Sequence, residues 1–214
     1  MEIVERMRKA HLVPVIALER VEDALPLCNA LKAGGLQVAE FTFRTPVARE
    51  AIRLVASEFP DFILGAGTVT SLDELTAAKE AGAGFAVAPG LNPRIVQAAQ
   101  EMGLPFFPGV ATPSEIETAL QLGCTTLKLF PAEALGGVTY LKAIYAPYRH
   151  RPVQFIPTGG IEIENMNDYL KQPSVVAVGG TWVVKPDWIK AQRWGEITSA
   201  AQRATARARE IPGR

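Results

Sequence analysis

Cysteine is scarce in this sequence, and neither sign of charge is in excess. Cys28 and Cys124 are the two cysteines of 214 residues and have no C-x-x-C spacing, which argues against a disulfide framework or a zinc site. We expect both thiols to be reduced in a cytoplasmic protein. Lysine and arginine total 22, as do aspartate and glutamate, so the net charge is zero. This balance, with no basic stripe, argues against a nucleic-acid partner.

Long apolar runs and the common cofactor motifs are also missing. No stretch approaches the roughly 18 apolar residues that a membrane span needs, and the first residues lack the apolar core of a signal peptide. The sequence lacks a G-x-G-x-x-G pattern after the first predicted strand. It also lacks P-loop, H-E-x-x-H and G-x-S-x-G patterns. No His/Asp/Glu cluster has metal-ligand spacing, so we expect neither a metal nor a cofactor.

The chain instead alternates short β-rich runs with longer helical segments. Eight candidate strands begin at intervals of about 20 to 30 residues, the size of one βα unit. They are residues 12–18, 37–43, 62–67, 84–89, 104–109, 125–130, 153–158 and 175–180. Most are continuously apolar, as parallel strands covered by helices are. The pattern predicts an α/β protein, a single (β/α)₈ TIM barrel domain over residues 1–214; a doubly wound open sheet is the alternative.

Capping residues predict where several helices begin and end. Ser71 and Thr112 are each followed three residues later by glutamate, and Asn92 precedes a proline. Two further helices are expected outside the repeat pattern. A short extra helix over residues 2–10 would cover the bottom of the barrel, and residues 186–210 would form the eighth barrel helix.

Polar residues at the strand ends predict a functional site. Because side chains on a strand alternate faces, Glu40, Thr42 and Arg44 share one side of the second strand. Lys128 and Phe130 likewise share one side of the sixth. Their neighbours on the opposite sides are apolar and should face the helices, so the polar sets should point into the barrel at its active face.

Lys128 is unusual because it lies within an otherwise apolar strand. A protein interior disfavours the ammonium form, and a neutral lysine is a nucleophile that can form a Schiff base with a carbonyl compound. Glu40 would supply acid–base chemistry beside it. Two structural interpretations remain open: Lys128 extends to solvent or pairs with Glu133, or it forms a buried ion-pair network with Glu40 and Arg44.

Two glycine pairs end the last two predicted strands, where barrels frequently bind phosphate on backbone N–H groups. They are Gly159-Gly160, and Gly179-Gly180 followed by Thr181. Glycine allows close approach of the backbone to an anion, and Thr181 could donate a further hydrogen bond. Ordinary turn glycines are the alternative. Together with a Schiff-base lysine, the two pairs favour a phosphorylated carbonyl substrate.

Seven motifs, in order across residues 10–190, resemble those of the 2-keto-3-deoxy-6-phosphogluconate / 4-hydroxy-2-oxoglutarate (KDPG/KHG) aldolases. They are VPVI (13–16), EFTFRT (40–45), GAGTV (65–69), APGL (88–91), KLFPAE (128–133), PTGGI (157–161) and GGTW (179–182). The resemblance implies a metal-independent class I aldolase that cleaves KDPG to pyruvate and glyceraldehyde 3-phosphate, with 4-hydroxy-2-oxoglutarate as a possible second substrate. It also implies a homotrimer.

The resemblance further implies a role for each site residue. Lys128 would form the Schiff base, and Glu40 would carry protons through an ordered water. The substrate-binding set would hold the pyruvyl carboxylate (Arg44, Thr68), shape the pyruvate pocket (Pro89, Phe130), contact a substrate hydroxyl (Thr158) and bind the distal phosphate (Gly159, Gly160, Gly179, Gly180, Thr181).

One position departs from the family pattern, which has serine where this chain has Thr181; the added methyl group could shift the phosphate slightly. Two other functions stay open on the same barrel. A phosphosugar isomerase or epimerase would use Glu40 as a base and Lys128 only for its charge, and a binding protein would hold a phosphorylated ligand without turnover.

Overall fold

The computed structural model describes residues 3–211, in which parallel strands alternate with helices. The strands are β1 Leu12–Ile16, β2 Val38–Thr42, β3 Ile63–Gly67, β4 Phe85–Val87, β5 Phe106–Phe107, β6 Gly109–Val110, β7 Thr126–Leu129, β8 Gln154–Pro157 and β9 Val178–Gly180. The helices are α1 Ile3–Ala10, α2 Ala24–Ala33, α3 Ala48–Glu58, α4 Leu72–Glu80, α5 Pro93–Glu101, α6 Pro113–Gln121, α7 Gly137–Tyr145, α8 Met166–Leu170, α9 Pro186–Lys190 and α10 Trp194–Arg209.

The helix starts follow the predicted capping chemistry. Ser71 and Thr112 both form complete capping boxes with the glutamate three residues later, and the Asn92 side chain accepts from the N–H of Arg94 at 3.0 Å. The extra N-terminal helix is confirmed over Ile3–Ala10, while residue 2 of that prediction lies outside the described residues. The prediction of one helix over 186–210 is wrong, because the chain turns at Gln192, whose φ is +53°. The result is two helices, α9 and α10.

The strands form two all-parallel sheets, with orders β5-β4-β3-β2-β1-β9 and β6-β7-β8. Single bridges, Phe155 with Val175 and Thr158 with Gly179, connect the β8 and β9 regions. The first order runs without the reversal that marks a doubly wound sheet, so the open-sheet alternative is disfavoured. A parallel α/β fold is confirmed, and a closed ring of eight strands stays a prediction.

The predicted strand 104–109 is interrupted at Pro108. Proline has no N–H for the ladder, so the segment divides into β5 and β6 on either side of it. The Pro108 carbonyl still accepts from the N–H of Lys128 at 2.9 Å, which keeps the interrupted strand beside β7. The predicted strand 175–180 is likewise shorter, since β9 begins at Val178.

Two apolar cores lie on opposite sides of the strands. The larger one contains Phe41, Leu127 and Leu129 against the helices, as strand alternation predicted. The smaller one lies around fully buried Met7 of α1 and contains Val13, Val38, Ile63, Phe85, Val87, Phe107, Ile156, Val176 and Ala177. This second core packs α1 against the side of the strands that faces away from the larger core. The polar strand positions that share its side lie nearer the carboxyl ends of the strands.

Two global properties bear on function. None of the helices within residues 3–211 is long and apolar enough to cross a membrane. The same residues contain no group of three or more His, Cys, Asp and Glu side chains arranged to hold a metal ion.

Candidate active site

Lys128 and Glu40 meet in the protein interior. Lys128 lies on β7 between Gly109 and Ile156 in the strand register, and Glu40 lies on β2 between Val15 and Gly65. The Lys128 Nζ atom is 3.5 Å from the Glu40 Oε1 atom. Their side chains are only 7% and 5% exposed. Residues 88 positions apart in the chain are therefore brought together by strands held on both sides.

This geometry excludes some of the interpretations of Lys128. Its burial excludes extension to solvent, and the other suggested partner, Glu133, accepts a hydrogen bond from Tyr169 instead. Arg44 forms no ion pair with a carboxylate within residues 3–211, so the three-member network is not found. What remains is a single buried pair, which carries a substantial desolvation cost. Such a pair provides a nucleophilic amine and a proton carrier within reach of one ligand.

The Lys128–Glu40 pair has space because the neighbouring strand carries glycine. A Cβ atom at Gly67 would lie 2.0 Å from the Glu40 Oε1 atom and 2.5 Å from its Cγ atom, so no larger residue fits without moving the carboxylate. Glycine within a strand often marks such a close approach. Gly67 lies within the GAGTV motif, whose resemblance implies no role for it. The Gly-Ala-Gly segment at the end of a buried strand is the sequence feature that indicates such a close approach.

We expect Gly67→Ala to lower kcat/KM by about 100-fold, because displacement of a reacting group by about 1 Å has an effect of that size. Steady-state kinetics with the phosphorylated keto acid that the motif resemblance implies would measure the change. Gly195→Ala is the matched control, since a Cβ atom there has no neighbour within 4 Å. If Gly67→Ala retained the wild-type kcat/KM, the position of the Glu40 carboxylate would not matter for turnover.

Thr42 and Arg44 are linked beside this pair. The buried Thr42 hydroxyl donates to the Ile16 carbonyl at 3.1 Å, and the Arg44 Nε–H donates to the Thr42 hydroxyl oxygen at 3.1 Å. Arg44 itself is exposed, two residues beyond the end of β2. Its guanidinium, which no carboxylate of the described chain neutralises, is suited to bind an anionic ligand group.

Thr68 follows β3 directly in a backbone conformation that β-branched residues rarely adopt. Its φ is +58°. A left-handed β-branched residue costs free energy and persists where the surrounding structure holds it, often at a ligand site. The N–H of the next residue, Val69, donates to the Val87 carbonyl at 3.0 Å and fixes the turn against β4.

Phe130 lies between the amine and the first glycine pair. Its ring centroid is 5.5 Å from Lys128 Nζ, within cation–π range, and a Cβ atom at Gly159 would lie 3.3 Å from the edge of the ring. Pro89 is exposed beyond β4, and its carbonyl lies against Gly109 at the start of β6. Both residues follow strand ends at the predicted face.

The second glycine pair is required by packing rather than by a turn. A Cβ atom at Gly179 would be 2.2 Å from the Thr158 hydroxyl oxygen, and one at Gly180 would be 1.7 Å from the Trp182 ring. Gly159 and Gly160 differ, because their φ values of +102° and +76° make them turn glycines as well. Thr158 is buried beside Gly179, and Thr181 is exposed just after β9. The two pairs therefore lie on adjacent segments.

Neither cysteine competes with Lys128 as a nucleophile. Cys28 and Cys124 are both buried and free. Burial raises the pKa of each thiol above its ordinary value. Both therefore stay in the unreactive thiol form at neutral pH.

A parallel α/β fold that holds a buried lysine beside a carboxylate near its strand ends has the groups that an enzyme needs to act on a carbonyl compound through an amine. The family model for KDPG and KHG aldolase matches residues 3–200. The chain belongs to the KDPG and KHG aldolase family.

Named relatives cover nearly all of the chain. A 2-dehydro-3-deoxy-phosphogluconate aldolase of Haemophilus influenzae is 47% identical over 196 residues, 92% of each chain. A KHG/KDPG aldolase of Escherichia coli is 45% identical over 193 residues, 90% of each chain. The crystal structure of KDPG aldolase from Legionella pneumophila, with pyruvate captured as a covalent carbinolamine intermediate, superimposes with a TM-score of 0.89. It is 41% identical, and the match covers 94% of this chain and 97% of that one.

Proposed function

We propose that this protein is a class I aldolase that cleaves 2-keto-3-deoxy-6-phosphogluconate to pyruvate and glyceraldehyde 3-phosphate. The observation that carries the proposal is the buried Lys128 with its Nζ atom 3.5 Å from Glu40 Oε1. The covalent pyruvate adduct in the Legionella relative supports the same chemistry. The naming of the Escherichia coli relative supports 4-hydroxy-2-oxoglutarate as a second substrate.

The reaction begins when the neutral amine of Lys128 adds to the C2 ketone to give a carbinolamine, which loses water to form a protonated imine. Glu40 then takes the proton of the C4 hydroxyl. The C3–C4 bond breaks, its electron pair passes into the imine to form an enamine, and the aldehyde leaves. Glu40 returns a proton to C3, and water hydrolyses the new imine to release pyruvate and restore Lys128. Positioned proton transfer of this kind typically contributes about 10²–10⁴-fold.

The substrate would lie across the strand ends. Arg44, through its exposed guanidinium, and Thr68, whose φ is positive, would hold the pyruvyl carboxylate. Pro89 and Phe130 would form the walls around the keto acid. Phe130 lies near both the Lys128 amine and Gly159, so the sugar chain would pass it toward the phosphate end. Thr158 would contact a substrate hydroxyl there. Backbone N–H groups of the segments 159–160 and 179–181, with the Thr181 hydroxyl, would bind the phosphate.

The proposal includes architecture and assembly. We propose that both sheets close into one (β/α)₈ barrel domain over residues 1–214. Three observations support closure: the sequential strand order, the bridges between the β8 and β9 regions, and the passage of the chain from β5 to β6 through Pro108. Residues 1–2 and 212–214 of that domain lie outside the described residues. The homotrimer and the cytoplasmic location remain part of the proposal. Analytical ultracentrifugation tests the first, and fractionation of the source cells tests the second.

Borohydride trapping tests the function. Incubation with pyruvate, reduction and digestion should give a peptide that carries a reduced pyruvyl group on Lys128, and wild-type enzyme should release pyruvate from KDPG. Turnover without an adduct would favour base chemistry by Glu40 alone, and binding without turnover would indicate a ligand-binding protein. The metal-independent mechanism predicts full turnover in EDTA; loss that a divalent ion restores would contradict it.

A further inference from the structure

Glu133 lies just beyond the Phe130-Pro131 segment, yet its carboxylate does not face Lys128. The Tyr169 hydroxyl on α8 donates to Glu133 Oε1. Tyr169 is fully buried, whereas Glu133 is exposed. The proposed reaction uses neither residue. The hydrogen bond joins the segment after β7 to α8, the helix after β8. Along the chain, the first glycine pair, Gly159-Gly160, lies between these two segments.

Glu133 also touches this glycine segment directly. Its backbone N–H donates to the Gly159 carbonyl at 3.0 Å, and the N–H of Ala132 donates to the Thr158 carbonyl at 2.8 Å. A Cβ atom at Gly160 would lie 2.7 Å from the Glu133 Cβ atom and 3.0 Å from its Cγ atom. The stem of the Glu133 side chain is therefore packed against the Gly160 backbone, and its carboxylate is held at the far end by Tyr169.

Gly159 and Gly160 need external support to keep one conformation. Both have positive φ values, and glycine loses more conformational freedom on ordering than any other residue. Neither has a side chain that could fix its own position. A binding site made of backbone N–H groups requires those groups to be ordered before the anion arrives, since ordering on binding lowers affinity.

We infer that Tyr169 is a positioning residue for phosphate recognition: through Glu133 it holds the Gly159-Gly160 backbone in the conformation that binds the phosphate of the substrate. This inference rests on the phosphate-binding role proposed above for these glycines. Burial first, and the hydrogen bond to Glu133 second, raise the pKa of Tyr169 above its ordinary value. The hydroxyl therefore remains a hydrogen-bond donor throughout the neutral pH range.

Tyr169→Phe removes the donor and keeps the ring. We expect the KM for KDPG to rise about 10-fold, in the range for loss of one hydrogen bond to a charged group, with kcat within about twofold of wild type. Trapping of pyruvate on Lys128 should keep its wild-type rate, because pyruvate has no phosphate. Glu133→Ala breaks the same link from its exposed end and should give the same split between KM and kcat. In Glu133→Gln the amide oxygen still accepts from Tyr169, so the wild-type KM should be retained.

Tyr148→Phe is the matched control, because the Tyr148 hydroxyl donates to the Glu117 carboxylate at 3.0 Å against helix α6. A KM for KDPG within twofold of wild type in both Tyr169→Phe and Glu133→Ala would overturn the inference. A parallel loss of pyruvate trapping would also overturn it, because the link would then support the whole site rather than phosphate recognition. Failure of the proposed function is distinguishable, since the wild-type enzyme itself would not cleave KDPG.

Discussion

Lys128→Met abolishes KDPG cleavage in the proposed mechanism, with an expected fall in kcat of at least about 10⁴-fold, in keeping with losses seen when an enzyme nucleophile is removed. Methionine fills similar space and cannot form an imine. A coupled assay for released pyruvate measures the fall in kcat. Borohydride trapping with pyruvate should give no pyruvyl adduct. Lys142→Met, on the exposed side of α7, is the matched control and should keep wild-type activity.

Lys128→Met also leaves the Glu40 carboxylate buried without its partner, which typically costs about 3–5 kcal/mol of stability. The double variant Lys128→Met with Glu40→Gln removes both charges, so its melting temperature should recover while its activity stays lost. This pattern separates chemistry from folding. Substantial cleavage by folded Lys128→Met would disprove the Schiff-base mechanism.

Glu40→Gln should lower kcat by about 10²–10⁴-fold, because glutamine keeps the shape of the side chain and cannot carry the proton. Exchange of the pyruvate methyl hydrogens with deuterated water, followed by NMR, should slow in the same proportion, since the same carboxylate serves C3. Glu101→Gln, at the exposed end of α5, controls for loss of one negative charge. If exchange and cleavage both stayed near wild type, another group would carry the protons.

Sequence reasoning identified most elements because local chemistry defines them. The capping boxes at Ser71 and Thr112 gave the starts of α4 and α6, and the apolar runs gave the strands. Errors arose where one residue changes the backbone. Pro108 divides a predicted strand because it lacks an N–H, and Gln192 divides a predicted helix by adopting positive φ.

Strand parity was also sufficient to assign the polar side chains to one face. Glu40 and Lys128 were expected to project into the same interior because alternate residues on a strand share a side, and in the structure Lys128 Nζ lies 3.5 Å from Glu40 Oε1. Parity could not choose the partner of Lys128, since both Glu40 and Glu133 were available in the sequence.

The sequence by itself therefore determined the parallel α/β class, the polar residues at the strand ends and the lysine within an apolar strand, because periodicity, capping and the ordered motifs are local properties of the chain. The tertiary structure alone decided that Glu40 is the carboxylate beside the amine, that Gly67 provides the space for it, and that Tyr169 holds Glu133 beneath the glycine pair. These are contacts between residues far apart in the chain, and the register and packing of the strands and helices set them.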